Sequence, residues 1–424
     1  MTGPGLLDVR FAPLDVLAPL AVSILMFAGV LKATPILSEL PFDLTLFGAL
    51  LVLLLIGVEV LRKDWRPPPG VAAVVFLWAV FLVGVWQTSE SQYAGEKVQR
   101  LFTLTLLSAI GPLLLLRSEL RQRIWLWSLV GLGALTAAAA VLFPSDETAE
   151  TGRLVAEGSN TISAGQAAGA AALILYILAA TRCVRRMVAI PAAVAFTGVA
   201  VLTGSKGPLL AMVVALAILV VARPGTRAVR SRRVIGSLAA GAAVFVLVAV
   251  NLGSAVGFER ITALVTQPDE VREFLYARSF EMALENPLGI GWGNFATELH
   301  TNFVFETAQD QILYPHDALL EVAVEAGWLA VLAFAVFVVV SLYRLLRRSG
   351  TTNGALLFTL ALYFFFNSLV SGDINGNKAM LGVLALAWLS STSRPTPTTD
   401  DLESREPAPD ERVAPPKVTA GRSR

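Results

Sequence analysis

Two histidines, His300 and His316, lie in about sixty residues of mixed polar sequence between the strongly apolar stretches Val234 to Val256 and Ala318 to Leu342. His316 follows Tyr314-Pro315 and precedes an apolar run, so Pro supplies a helix start and the imidazole falls in the first turn, at a water–lipid boundary. An unperturbed pKa near 6.5 suits a general base that takes a proton from a hydroxyl at neutral pH. A histidine that caps or hydrogen-bonds the helix start has the same signature, so both readings stand. His300, in the run Thr297-Glu298-Leu299-His300-Thr301-Asn302, reads as an ordinary loop residue.

Asp317, Glu321 and Glu325 follow His316 at i, i+4 and i+8, a spacing that drifts slowly along one helix face. The first two complement a helix N-terminal dipole. Glu325, followed by Gly327, lies deeper and needs a partner, which favours a structural ion pair over catalysis. Cations gather nearby in sequence order. Lys206 sits in the turn Thr203-Gly204-Ser205-Lys206-Gly207-Pro208, Arg153 precedes Gly158-Ser159-Asn160, and Arg278 falls within Val271 to Glu285. That last segment reads as an amphipathic helix with Val271, Phe274, Leu275 and Met282 on one side. It ends in Asn286-Pro287-Leu288-Gly289-Ile290-Gly291-Trp292-Gly293-Asn294-Phe295, a Gly-rich turn that lets backbone approach a ligand closely. With no preceding strand it is not a dinucleotide fingerprint. Three cations and one base describe a site for a diphosphate leaving group and an incoming hydroxyl, although cations near helix ends also snorkel to the interface.

The elements that hold these residues are membrane spans. A 424-residue chain that is 55% hydrophobic and 15% charged, with a mean hydropathy of +0.67, has more apolar surface than one aqueous core can bury. Cutting it into runs of roughly 20 apolar residues gives an all-α polytopic fold of about twelve spans. They are Leu14 to Leu31, Phe42 to Leu61, Val71 to Trp86, Val98 to Leu116, Ile124 to Phe143, Ile162 to Ala180, Met187 to Leu202, Leu209 to Ala222, Val234 to Asn251, Ala318 to Leu342, Ala355 to Val370 and Ala379 to Ser390. Alternate connections carry the arginines: Arg62 and Arg66, Arg117 to Arg123, Arg182 to Arg186, Arg223 to Arg233, and Arg344 to Arg348. The others are acidic or near neutral. This places both termini inside and one long loop with short helices outside. The organisation is therefore a membrane bundle over 1–251, an external loop over 252–315, a second bundle segment over 316–390 and a disordered cytoplasmic tail over 391–424. The first span is expected to stay as an anchor. The net charge of +1 gives no ground for nucleic acid as a partner, and one cysteine, Cys183, with two separated histidines gives none for a metal site.

Three local patterns resemble the O-antigen ligase and O-antigen polymerase superfamily. Thr203 to Gly207 is similar to the family's Ser-Arg-Gly turn between spans. Arg278 with Asn286 to Phe295 is similar to its Arg followed by a Pro-Leu-Gly-x-Gly-x-Gly-Asn-Phe stretch. His316 to Gly327 is similar to its His-Asn-x-x-Leu helix ending in Glu-x-Gly. The resemblance implies a GT-C-type glycosyltransferase of the bacterial cytoplasmic membrane, with its active site external. Its donor would be a glycan on undecaprenyl diphosphate, and its acceptor a hydroxyl on a cell-envelope glycan, lipid or protein. Transfer would be inverting, with no metal or other cofactor. Carried over by position, Lys206 and Arg278 hold the diphosphate and His316 is the base, while Arg153, Asn294, Asp317 and Glu325 line the substrate. Lys206 stands where Arg is usual and Asp317 where Asn is usual. The first departure loses a bidentate fork; the second puts a negative charge beside the base and raises its pKa if the two approach.

Two other readings remain open on sequence. A polymerase would share the donor chemistry and join lipid-linked repeats to one another. A transporter or flippase for a lipid-linked saccharide would instead use intramembrane acids, for which Glu59 and Glu325 are the candidates. On the resemblance, Arg278→Ala and His316→Ala are each expected to abolish transfer without loss of expression or membrane insertion. Full activity in either variant removes that residue from the mechanism.

Overall fold

The structure is a computed structural model that describes residues 12–32, 34–62, 65–146, 148, 153–222, 270–299 and 312–389. The stretch Val234 to Asn251, His300, much of the long loop and the tail from 391 lie outside the described residues. The helices are α1 (Pro13–Lys32), α2 (Pro35–Ser38), α3 (Leu44–Val60), α4 (Gly70–Val85), α5 (Gln92–Leu115, with a π turn at Leu101–Thr105), α6 (Glu119–Leu142) and α7 (Thr161–Ala180). They continue with α8 (Arg186–Leu202), α9 (Lys206–Ala222), α10 (Glu270–Glu285), α11 (Phe295–Glu298), α12 (Ala318–Arg348), α13 (Thr352–Ser368) and α14 (Lys378–Leu386). Among the described residues there is no strand, only an isolated bridge between Pro144 and Ala156.

Among the described residues five helices, α1, α5, α6, α7 and α12, are long and apolar enough to cross a membrane, and α3, α4, α8 and α9 are shorter apolar helices. Their outward faces are apolar: Leu46, Leu50, Leu53 and Leu54 on α3 and Leu329, Leu332, Val336 and Val339 on α12 are exposed. That is the surface expected where lipid is the solvent. The helices start where the sequence offers an oxygen for their first N–H groups: Asp43 for α3, Ser91 for α5, Ser118 for α6, Asn160 for α7, Asp317 for α12 and Thr351 for α13.

Charge was a poor guide to one boundary. The expected span starts at Val98, yet α5 begins at Gln92 and carries Lys97 inside it. Lys97 is buried and its ammonium pairs with two carboxylates from α12, so the charge faces protein instead of water. The same arrangement occurs near the Arg-rich end. There Arg121 on α6 bonds Asp15 at 2.8 Å and Glu59 at 2.7 Å, and Glu59 also meets Arg62 at 3.1 Å.

Helix α7, written TISAGQAAGAAALILYILAA, is buried along most of its length, and its small residues let neighbours approach closely. It packs against α6, α8, α9 and α13, while α12 packs against α4, α10 and α13 and α14 packs on α5.

Helix α12 is not continuous. Gly327 has φ 84° and ψ 177°, which breaks the hydrogen-bond ladder and separates a short half-helix, Ala318 to Ala326, from the long remainder. The Gly-rich turn enters the break. Ile290 N–H donates to Val324 O at 2.9 Å, Gly291 N–H donates to Glu325 O at 3.0 Å, and Trp328 N–H donates to Pro287 O at 2.9 Å. Gly289 (φ 86°) and Gly327 face each other. A Cβ at Gly289 would stand 2.6 Å from Glu325 O, and one at Gly327 would stand 2.5 Å from the Leu288 carbonyl carbon. Neither position accepts a side chain without moving backbone, and left-handed strain of about 1–3 kcal/mol adds to the clash. Gly289→Ala and Gly327→Ala should therefore each lower the thermal unfolding midpoint in detergent, whereas Gly131→Ala in α6, where a Cβ meets nothing within 4 Å, should not.

Candidate functional site

Five separate stretches converge on a cleft of about 200 Å³ at one end of the bundle. The first is the hairpin between α6 and α7, tied to the end of α8 by Leu154 N–H donating to Leu202 O at 2.8 Å. That bond sets Arg153 beside the turn at Gly204, where φ is 69° and a Cβ would stand 3.3 Å from Arg153 Cγ. The second and third are the N-termini of α7 and α9, which bring Thr161, Ile162, Lys206 and Gly207 to the wall. The fourth is α10, docked by the Tyr276 hydroxyl donating to Leu369 O at 3.3 Å, which sets Arg272, one turn earlier, on the same cleft. Val370 and Ser371 complete the lining.

Arg153 and Lys206, both expected at the site, are thus brought together, and Arg272 joins them. Arg278 is not a lining residue. It pairs with Glu281 at 3.0 Å on the outer side of α10. The reason is the face of the helix. Leu275, Ser279, Met282 and Ala283 are buried, whereas Val271 and Phe274 are exposed, so the stripe read from the sequence is turned relative to the one that packs. Arg272 lies three and four residues before Leu275 and Tyr276 and lines the cleft; Arg278, about 120° round the helix from Arg272, does not. The signal that identifies Arg272 is that packed stripe with its Ser and Tyr included, a pattern that apolar residues alone do not reveal.

His316 does not sit in the first turn of α12. Asp317 is the N-cap, extended at φ −137° and ψ 119°, and its Oδ1 accepts from Leu319 N–H at 2.8 Å and Leu320 N–H at 3.0 Å. His316 precedes it in the left-handed region, φ 62°, an uncommon conformation for a residue with a Cβ. Pro315 behind it is buried, and the Tyr314 ring lies 4.5 Å from the imidazole, centroid to centroid. Burial pushes the Asp317 carboxyl up from its ordinary value, against the two N–H bonds that lower it. The Tyr314 phenol is pushed up by burial and by the carboxylates of Asp373 and Glu321.

Beneath this loop, Lys97 Nζ stands 2.6 Å from Glu321 Oε1 and 2.6 Å from Glu325 Oε2, all three side chains being enclosed. Glu325 therefore has the partner that its depth requires. The turn between α13 and α14 closes over the pair: Ile374 N–H donates to Glu321 Oε2 at 2.7 Å, and Asn375 donates to Lys97 O at 3.1 Å while accepting from Thr105 at 2.7 Å. Val370 and Ser371, which line the cation cleft, belong to the same turn. Asn294 is held in a different way. Its amide donates to Gln87 O and Ile290 O at 3.0 and 2.7 Å, and its Oδ1 accepts from Ser89 N–H at 3.3 Å, so it clamps the Gly-rich turn to the end of α4. The glycines of that turn serve close approach to other backbone, with Trp292 buried against Phe81 and bonded to its carbonyl at 2.9 Å. Among the described residues no group of three or more His, Cys, Asp or Glu side chains is arranged to hold a metal ion.

Residues 191–335 match the sequence profile of the family described as O-antigen ligase. The matched interval includes Lys206, Arg272, His316 and the half-helix to Glu325, while Arg153 and Lys97 precede it. No curated protein has a significant match to the chain. This segment of the chain is therefore similar to the O-antigen ligase family, and the described residues around it include helices long and apolar enough to cross a membrane.

Proposed function

We propose that this protein is a membrane glycosyltransferase that moves a glycan from undecaprenyl diphosphate to a hydroxyl acceptor at the outer face of the bacterial cytoplasmic membrane. In this reading the chain has twelve spans and both termini lie inside. The observation that carries it is the convergence of Arg153, Lys206 and Arg272 on one cleft where α7 and α9 begin. Helix N-termini carry partial positive charge and unpaired N–H groups, so they add to the three cations in favouring a phosphate-bearing ligand. The family match supports ligase- or polymerase-like chemistry in general terms.

The acceptor oxygen attacks the anomeric carbon, the bond from that carbon to the phosphate oxygen breaks, and undecaprenyl diphosphate leaves with the electron pair. His316 takes the hydroxyl proton. Charge that builds on the departing diphosphate is met by Arg153, Lys206 and Arg272, which stabilises the transition state more than the bound donor. These cations supply the charge stabilisation for which other transferases use a divalent metal, so activity in chelator is expected.

A transporter reading relies on intramembrane acids available for coupling. Glu59 and Glu325, its two candidates, are each held by a buried cation, Arg121 and Lys97. The transferase reading uses the cleft and leaves both pairs intact.

Purified protein with an undecaprenyl-diphosphate oligosaccharide, candidate acceptors and chelator should release undecaprenyl diphosphate in an acceptor-dependent way. Arg272→Ala and Lys206→Ala should each lower kcat/KM by about 10²- to 10³-fold, the usual loss of one preorganised donor. His316→Ala should lower it by about 10²- to 10⁴-fold, while Arg278→Ala should have the smallest effect of the set. Wild-type turnover in Arg272→Ala removes the cleft from the mechanism. Polymeric product from donor alone identifies a polymerase, and saccharide flux into vesicles that Glu325→Gln abolishes supports transport.

A further inference from the structure

We infer that Lys97 is a positioning residue that fixes His316 relative to the cation cleft, an inference that rests on the transferase reading for its catalytic consequence. The break at Gly327 leaves the half-helix Ala318 to Ala326 without a continuous ladder to the rest of α12. Its lower end is held by the Gly-rich turn. Its upper end, which carries His316, is held sideways by Lys97, because Glu321 lies four residues after the Asp317 cap and its N–H donates to Asp317 O at 2.9 Å. Glu325 adds a second pair one turn lower, so one ammonium grips two successive turns of the half-helix from α5.

The grip also reaches the cleft. Glu321 Oε2 accepts from Ile374 N–H, and Asn375 bonds the Lys97 carbonyl and Thr105, all within the turn whose earlier residues, Val370 and Ser371, line the cation site. Lys97, Glu321, Glu325 and Thr105 are each at most 2% exposed, so none of them touches substrate. A lysine that pairs two carboxylates in a water-poor site has strict geometry, and the base and the leaving-group site share it as a common anchor. Sub-ångström placement of this kind governs rate steeply: a misplacement of about 1 Å costs on the order of a hundredfold.

The test separates positioning from simple charge compensation with the variant Lys97→Met/Glu321→Gln/Glu325→Gln, which removes all three buried charges together. The chain has two histidines, so a His300→Gln background makes His316 the sole imidazole and its carbethoxylation rate a reporter that does not depend on transfer. We expect the triple variant to fold, to bind undecaprenyl diphosphate like the parent, to show faster His316 modification and to lose about a hundredfold in kcat with KM for the donor little changed. Parent-like modification and parent-like kcat would overturn the inference. A parent that releases no undecaprenyl diphosphate, combined with altered His316 modification in the variant, would refute the transferase reading and leave the anchor standing. Should the triple variant fail to fold, Glu321→Gln keeps the Lys97–Glu325 pair and an acceptor for Ile374. It too should speed His316 modification, and a rate equal to the parent's would overturn the inference.

Discussion

A carbonyl or N–H group left without a partner inside a bilayer costs several kcal/mol, and the arrangement of this protein follows from where that cost is met by something other than a helix. Helix α12 breaks at Gly327, and its released groups are taken up by the backbone of residues 287–291. The Gly-rich turn is therefore a structural plug whose own glycines and Trp292 seat it against α4, α5 and α12. Because the break is repaired by a separate segment, the half-helix below His316 can be set at its own angle. The catalytic base of the proposed reaction is thus placed by a lock that lies outside its own helix.

Charge follows the same logic. Removing one partner of a buried ion pair typically costs about 3–5 kcal/mol, because the charge left behind has no water to turn to. Lys97 with Glu321 and Glu325, and Arg121 with Asp15 and Glu59, are such pairs at two places in the bundle. The cations that line the cleft lie nearer the surface. Lys206 is exposed and Arg153 and Arg272 stand on segments that meet only at the surface, where a multiply charged anion and two helix N-termini share one space.

How much of this the sequence reveals depends on whether a residue's partner is near it in the chain. The turn at Gly204 and the proximity of His316 to a helix start are local, and they read correctly from spacing. The apolar stretches outside 234–251 each coincide with a helix, since apolar runs set helices in lipid whatever packs on them. Lys97 reads as a loop charge because its carboxylates come from a distant helix, and the expected start of α5 therefore falls too late. Arg272 does not stand out in the sequence because Val271 and Phe274 suggest a different packed face from the one that Leu275, Tyr276 and Ser279 form. The Gly-rich turn announces close approach by composition, yet nothing local says that the approaching group is the backbone of α12 and not a ligand. Nothing local to Asn294 announces its hydrogen bonds to Gln87 and Ser89, which lie about two hundred residues earlier in the chain.

In the proposed reaction the cleft between the starts of α7 and α9 receives the diphosphate of a lipid-linked glycan. A structure of the protein with undecaprenyl diphosphate bound tests it most directly. The claim requires phosphate oxygens within about 3 Å of Lys206 and Arg272, with the polyprenyl chain leaving the cleft toward lipid. Diphosphate bound elsewhere on the protein, with this cleft empty, would contradict it.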